Sequence, residues 1–423
     1  MGIFLISIYS IFFGILSWRN RMHGLIVLCF LLPTYLIRFS IGIIPTTLLE
    51  ITILILAIIW LIKDKKNIQK TILHGIQTKK LLSLGILLFF LGASINIFIA
   101  IDILAALGEW RAFYIEPILV FFITITTIQT KKNLHNILFS LVSIGIITSI
   151  LAIYQHFTGW MVPYAFWENR ETFRVTAWYG FPNGVGLFLG PLVIMAMFLV
   201  KTGWNKTKKT TTDYIRVIIS SVAIPLMILA IIYAKSTGAI IGIIGACGLL
   251  LFVHKKTRLF AIVIGIIGIT IFILLPTEHT IKQEVLAQDR SGQIRISMWE
   301  DTLHLLQDYP ITGAGLASYT TQIKPYHTLV HGEGIEIFHH PHNLFLTIWV
   351  NVGIIGFIGF LCIIISTLLY VQKKEAAYLC ASFIVILIMG LVDSPYIKND
   401  LSILFWLFPA LIYTQTKHYF ISK

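Results

Sequence analysis

Long apolar runs alternate with short polar clusters along this chain. Runs close to twenty residues recur from end to end, among them 43–62, 137–157, 217–234 and 259–275. Each is long enough to cross a hydrocarbon core of roughly 30 Å as a helix. The pattern predicts apolar segments at 3–18, 24–38, 43–62, 81–101, 113–129, 136–157, 180–200, 215–234, 237–254, 259–275, 343–371, 376–393 and 400–416. The first two are short and count as one span or two. The expected fold class is all-α, a polytopic transmembrane helical bundle of about 12–13 spans.

The polar clusters are of two kinds, and they alternate. One kind is basic: 18–21, 63–70 with 79–80, 131–132, 201–216, 254–258, 372–374 and the C-terminal tail. Together these hold 22 of the 32 lysines and arginines but only Asp64 and Asp213 of the 19 acids. Lysine and arginine accumulate on the cytoplasmic side of membrane proteins, so this face is expected to be cytoplasmic. The other kind comprises 107–117, 158–184, 234–238 and one long loop, 276–342. A connection that long is uncommon unless it has a task. Within it, Ile296, Trp299, Leu303 and Leu306 fall at helical spacing and Pro310 stops the run. An amphipathic helix is expected there, lying over the membrane domain or at its outer interface, then a glycine turn and a short helix in ITGAGLASY, 311–319. The organisation expected is N-terminal spans in 1–135, central spans in 136–275, the large outer loop in 276–342 and C-terminal spans in 343–423.

Composition agrees. Of 423 residues, 57% are hydrophobic and 12% charged, and the net charge is +13. A soluble chain would carry about 25% charged residues. The positive charge therefore reads as a topology signal and a contact for anionic lipids, and no nucleic-acid partner is expected. Cys29, Cys247, Cys362 and Cys380 all sit inside apolar runs, with no zinc or disulfide spacing. In the first 21 residues the charges follow the apolar part, which predicts a first membrane helix in place of a cleavable signal.

The candidate chemistry gathers on the outer face. In FHHPHNLFL, 338–346, Pro341 and Asn343 suit the start of a helix. His342 then lies beside the partial positive charge of a helix N-terminus, a place that favours an unprotonated imidazole able to accept a proton. His339 and His340 stand with it. An interfacial loop also attracts histidines simply because they are amphipathic, and that reading stays open. A His-His-Pro-His run offers metal ligands. Adjacent histidines rarely converge on one ion, however, and no acid or cysteine near them in sequence completes a tetrahedral set, so no metal is expected.

Arg170, Arg174, Arg290 and Arg295 lie on the same face, with Lys235 in AKSTG. Guanidinium forks match phosphate oxygens. The alternative for each is snorkelling, or pairing with Glu168, Glu171, Asp289 or Glu300. In YGFPNGVGLFLG, 179–190, Asn183 and its glycines fit either close helix packing or the polar mouth of a lipid or sugar groove.

RVTAWYGFPNGVGLFLG (174–190), KSTGAIIG (235–242), RISMWEDTLHLLQDYPITGAGLASY (295–319) and PHNLFLTIWVNVGIIGFIGF (341–360), in this order, resemble the O-antigen ligase and polymerase superfamily of bacterial membrane glycosyltransferases. The resemblance spans about residues 100–400, with a ligase-like region at 136–400, and is most specific from 174 to 360. It implies a GT-C-like helical fold and transfer of a glycan from an undecaprenyl-diphosphate carrier to an acceptor hydroxyl. It implies a site on the outer side of the bacterial cytoplasmic membrane, with no metal or other cofactor. It makes His342 and Arg295 the expected catalytic residues. Arg174, Lys235, Asn183, His339, His340, Arg290 and Asn343 are expected to bind substrate. Where the family often has Ser-Arg-Gly, this chain has Ser236-Thr237-Gly238, and Lys235 is expected to supply the charge.

The partners expected are the lipid-linked donor, a glycan, lipid or protein acceptor, and membrane lipids. Ligase, repeat-unit polymerase and protein-glycosylating enzyme all fit these residues. A flippase for lipid-linked sugars is the rival of another class. It would need ionisable groups at the bilayer midplane, where this chain has few. A metal-dependent transferase would need an acidic pair in the first outer loop, for which Asp102 and Glu109 are the nearest candidates.

Overall fold

The computed structural model describes residues 2–42, 44–163, 169, 172–327, 337–371 and 376–421. Helices α1 (Gly2–Arg19) and α2 (Arg21–Phe30) lead into a 3-10 turn, Leu32–Leu36, and an antiparallel hairpin of β1 (Arg38–Ile41) and β2 (Ile44–Thr47), with Arg38 opposite Thr47. This hairpin corrects the continuous spans expected at 24–38 and 43–62. Pro33 and Pro45 each remove an amide donor that a helix would need. Helix α3 (Leu48–Thr78) then starts on a reciprocal cap: Glu50 N–H donates to the Thr47 hydroxyl, and the Glu50 carboxylate accepts from Thr47 N–H.

The chain continues through α4 (Lys80–Ile95), α5 (Ile103–Glu109), a π-type turn (Trp110–Ile115), α6 (Glu116–Thr127), α7 (Lys131–Thr158), α8 (Pro182–Trp204), α9 (Thr211–Tyr233), α10 (Thr237–Val253) and α11 (Arg258–Leu274). The 276–342 loop carries α12 (Thr280–Val285), α13 (Arg290–Asp308) and α14 (Tyr319–Gln322); the chain closes with α15 (Leu344–Leu368), α16 (Ala377–Met389) and α17 (Asn399–Ile421). Every apolar segment expected from the sequence contains helix. By length and composition, five stretches suffice to cross a membrane: Ile103–Thr127, Lys131–Thr158, Pro182–Trp204, Thr211–Tyr233 and Leu344–Leu368. A bent pair, Ile68–Thr78 with Lys80–Ile95, would make a sixth. The protein is an all-α polytopic helical protein, as the hydropathy pattern implied.

The core is welded by close approach and by aromatic rings. Helices α4 and α15 run so near that a Cβ on Gly92 would lie 2.4 Å from Gly356 Cα. Phe89, Tyr114, Phe360, Tyr396, Phe405 and Trp406 form one buried aromatic cluster, with Phe89 and Tyr114 centroids 5.3 Å apart and Phe360 stacked on Phe405 at 5.3 Å. Its polar edges are satisfied: Trp406 Nε1 donates to Tyr396 Oη at 2.9 Å, and Tyr396 Oη donates to Phe113 O at 2.7 Å. Tyr396 thereby anchors the 390–398 turn between α16 and α17.

Helix α15 breaks at Gly353, where φ is 65° and ψ −177°. The 276–342 loop fills the break. Ile354 N–H donates to Ile311 O at 2.9 Å, and Ala314 N–H donates to Val350 O at 2.7 Å. Backbone groups freed by a broken helix need such partners when water is scarce. The same contacts seat α13 against the N-terminal half of α15. The buried face of α13 is Met298, Asp301, Thr302, Leu305 and Leu306, while Ile296 and Leu303 are exposed. The expected apolar stripe is thus corrected to one offset around the helix. Asp301 sits 3.6 Å from His327, and the Thr302 hydroxyl bonds Tyr319 Oη at 2.8 Å, so polar pairs make that face buriable.

Candidate active site

Five pieces of chain meet at one end of the bundle: the 172–183 segment leading into α8, the 234–238 turn with the first turn of α10, the end of α12, the start of α13, and the end of α16 with the 390–398 turn. They line a cavity of about 200 Å³ whose walls include Arg174, Asn183, Lys235, Ser236, Thr237, Glu284, Asp289, Arg295 and Asp393. A water molecule fills about 30 Å³, so a cavity this size accommodates a diphosphate group. Ile241, Val285, Met389 and Val392 complete the lining with apolar surface.

Local backbone geometry aims the polar groups. Ala177 (φ 47°), Lys235 (φ 49°) and His342 (φ 47°) all occupy left-handed conformations without being glycine. Such strain persists only where surrounding contacts enforce it, and it is common at functional sites. The approach of α8 to the 235–238 turn depends on Gly186, where a Cβ would lie 2.1 Å from Ser236 Oγ. That glycine therefore serves packing, while Asn183, one turn earlier, faces the cavity.

A continuous polar chain crosses the site. Arg174 Nε donates to Ala234 O (2.9 Å), and its Nη2 donates to Lys235 O (3.1 Å) and to Asn183 Oδ1 (2.9 Å). Asn183 Nδ2 donates to Asp393 Oδ2 at 2.9 Å. Asp393 Oδ1 accepts from Ser394 N–H at 2.8 Å and lies 3.3 Å from His342 Nδ1. His342 is not in the cavity wall itself; it is joined to the cavity through Asp393. Its ring lies 4.6 Å from that of His340, and its backbone N–H donates to His340 Nδ1 at 3.3 Å.

The charges in the cavity are unevenly engaged. Glu284 accepts from the Thr237 hydroxyl at 2.6 Å, Asp289 caps α13 at Gly292 N–H, and Asp393 is held as above. Among the described residues, neither the Arg295 guanidinium nor the Lys235 ammonium has a hydrogen-bonded partner. Burial, and then the neighbouring Arg295, hold Arg174 below its usual pKa, with Glu284 and Asp393 opposing the shift. Two guanidiniums that repel one another in a part-buried cavity are relieved by an anion placed between them. Burial pushes the Asp393 carboxyl up, but its hydrogen bond to His342, the imidazoles and Ser394 N–H outweigh this and leave it well below the usual carboxylate range. Burial, with His342 beside it, pushes His340 down to about 3.

Of the residues singled out from sequence, Arg174, Asn183, Lys235 and Arg295 line the cavity, and His342 and His340 stand behind Asp393. Asn343 caps α15, accepting from Phe345 N–H (3.0 Å) and Leu346 N–H (3.1 Å), while its amide donates to Leu391 O at 3.0 Å. Its side chain holds the backbone on both sides of the turn. Arg290 and His339 are exposed and outside the cavity wall. Arg170, Glu168 and Glu171 lie outside the described residues, as does the basic segment 372–374. Asp102 caps α5 and Glu109 accepts from Ala317 N–H at 2.9 Å; neither reaches the cavity. The residue that sequence reasoning missed is Asp393. Its signal was a lone acid, in MGLVDSPY, just beyond an apolar helix. Trp299 was read only as part of an apolar stripe, yet its Nε1 donates to Pro341 O at 2.9 Å and ties α13 to the histidine segment.

Residues 222–361 match the family model described as O-antigen ligase. The matched stretch includes Lys235, Arg295 and the histidine segment; Arg174, Asn183 and Asp393 fall outside it. An uncharacterized protein of Haemophilus influenzae is 24% identical over 257 residues, covering 56% of this chain and 60% of its own. A Rickettsia conorii protein, provisionally named a polysaccharide ligase, is 32% identical over 123 residues, covering 27% of this chain and 29% of its own. The chain thus spans less than two thirds of the length of either relative. The similarity to the O-antigen ligase family that the sequence suggested is borne out over the matched region.

Proposed function

We propose that this protein is a membrane glycosyltransferase of the O-antigen ligase kind. It moves a glycan from an undecaprenyl-diphosphate carrier to an acceptor hydroxyl, without a metal, on the outer side of the bacterial cytoplasmic membrane. The observation that carries this reading is the unbroken polar chain from Arg174 through Asn183 and Asp393 to His342, which couples an anion-binding cavity to a proton acceptor.

In this mechanism Arg174, Arg295 and Lys235 hold the diphosphate, and the apolar side of the cavity, Ile241, Val285, Met389 and Val392, receives the first units of the lipid. Asp393 accepts the Nδ1–H of His342, which orients the ring and leaves Nε2 as the base. The acceptor hydroxyl gives its proton to Nε2 as its oxygen bonds to the anomeric carbon. The bond from that carbon to the phosphate oxygen breaks, and the electron pair leaves with the undecaprenyl diphosphate, whose charge the guanidiniums stabilise. The α13 layer covers the cavity and limits access of water.

The test is transfer by purified protein from a synthetic polyprenyl-diphosphate glycan. His342→Ala should abolish transfer while the protein stays folded in detergent, and Asp393→Asn should lower kcat with little change in donor KM. Arg295→Ala should raise donor KM and lower kcat. A His342→Ala variant working at the wild-type rate would remove the base from this scheme.

A further inference from the structure

Two imidazoles and a carboxylate converge at the outer end of α15, and their proximity is a product of the tertiary fold. The left-handed backbone of His342 turns the chain back on itself, so that the rings of His340 and His342, two residues apart, lie 4.6 Å from one another. Asp393 arrives from the far side of α16. It is buried and pinned by Ser394 N–H and Asn183, with Oδ1 3.3 Å from His342 Nδ1. One potential ligand atom from each of His340, His342 and Asp393 lies within 4.8 Å of the other two. Tetrahedral zinc, with bonds of about 2.0–2.2 Å, needs its ligand atoms about 3.4 Å apart, so closing the set requires movements of about 1.5 Å or less, within reach of imidazole rotation. The carboxylate that the sequence around the histidines lacks is supplied from fifty positions away.

We propose that His340, His342 and Asp393 form a binding site for a divalent transition ion such as Zn2+, and that occupancy shuts off transfer by withdrawing His342 from proton exchange. Two nitrogens and one oxygen form the three-ligand set typical of zinc with an open fourth position. Imidazole selects zinc, copper or nickel over magnesium or calcium. The cationic surroundings, with Arg174 two hydrogen bonds away through Asn183, act against hard cations that rely on charge alone. An ion held by His342 and Asp393 takes the place of the proton between them and fixes the imidazole lone pair. The inhibitory half of this inference rests on the transferase reading; the binding half stands without it.

The test uses the full-length protein, purified in detergent without a polyhistidine tag. Equilibrium dialysis against ZnCl2 should show one tight equivalent per chain. His340→Ala and Asp393→Asn should each weaken binding at least ~10-fold, since losing even an outer-shell partner of a ligand typically costs that much. MgCl2 and CaCl2 should not compete. Wild-type transfer should then fall as the Zn2+ site fills and return on adding a chelator. Unchanged Zn2+ affinity in both variants would assign binding to other histidines and overturn the site, leaving the transferase reading intact. Stimulation of transfer by Zn2+ would overturn the inhibitory role and the metal-free mechanism together.

Discussion

Helices α11 and α15 are both long apolar segments carrying repeated glycines, yet they do opposite things. Helix α15 buries fourteen of its residues, and its glycines at 353, 356 and 359 meet backbone or side-chain atoms of α4, of the 309–314 segment or of its own preceding turn. Helix α11 has no buried residue, packs against α10, and offers open space around Gly265 and Gly268. Between lipid and protein, hydropathy does not discriminate, because lipid tails are as apolar as leucine. What separates the two helices is polarity inside the apolar run. Helix α15 contains Thr347, whose hydroxyl bonds Ser394 Oγ at 2.6 Å, and buried Asn351. Such groups need protein partners, and Thr347 ties α15 to the turn that carries Asp393.

This contrast can be broken or sharpened by substitution. The largest effect is expected for Gly92→Leu, which must force α4 from α15 and should cost about 3 kcal/mol; thermal unfolding in detergent, followed by tryptophan fluorescence, would register it. Gly353→Ala should cost about 1–3 kcal/mol, because only glycine tolerates that backbone and the new methyl would press on Ile311 O, 2.3 Å from the ideal Cβ. It should also expose the 309–314 segment to protease and reduce transfer. Asn343→Ala removes the cap of α15 and should cost about 1 kcal/mol. Because that cap also fixes the turn holding His342, kcat should fall more than the melting temperature suggests. Gly268→Leu in α11 should change stability by no more than about 0.5 kcal/mol. A large loss there would mean that α11 is covered by another chain.

The site shows a similar division. Arg174, Lys235, Arg295 and His342 were legible because charge is conspicuous in a chain this apolar, and because alternation of basic and non-basic loops assigned them to one face. Asp393 was not. A single acid after a helix has no local pattern, and its partner lies 51 positions back in the chain. The buried face of α13 was misjudged for a related reason. Periodicity ranks positions by side-chain hydropathy, but Asp301 and Thr302 become buriable only through His327 and Tyr319, which arrive from elsewhere. The hairpin at 38–47 was hidden by its hydropathy, although Pro33 and Pro45 were there to be read as interruptions.

The sequence by itself determined the class of this protein and the positions of its apolar helices. These are properties of transfer from water, which each segment expresses alone. Only the tertiary structure decided which apolar helices are buried, where α15 breaks, and that one carboxylate bridges the cavity lined by Arg174 and Arg295 to the histidines. Each of these depends on distances between segments remote in sequence, fixed by close packing that no local pattern records.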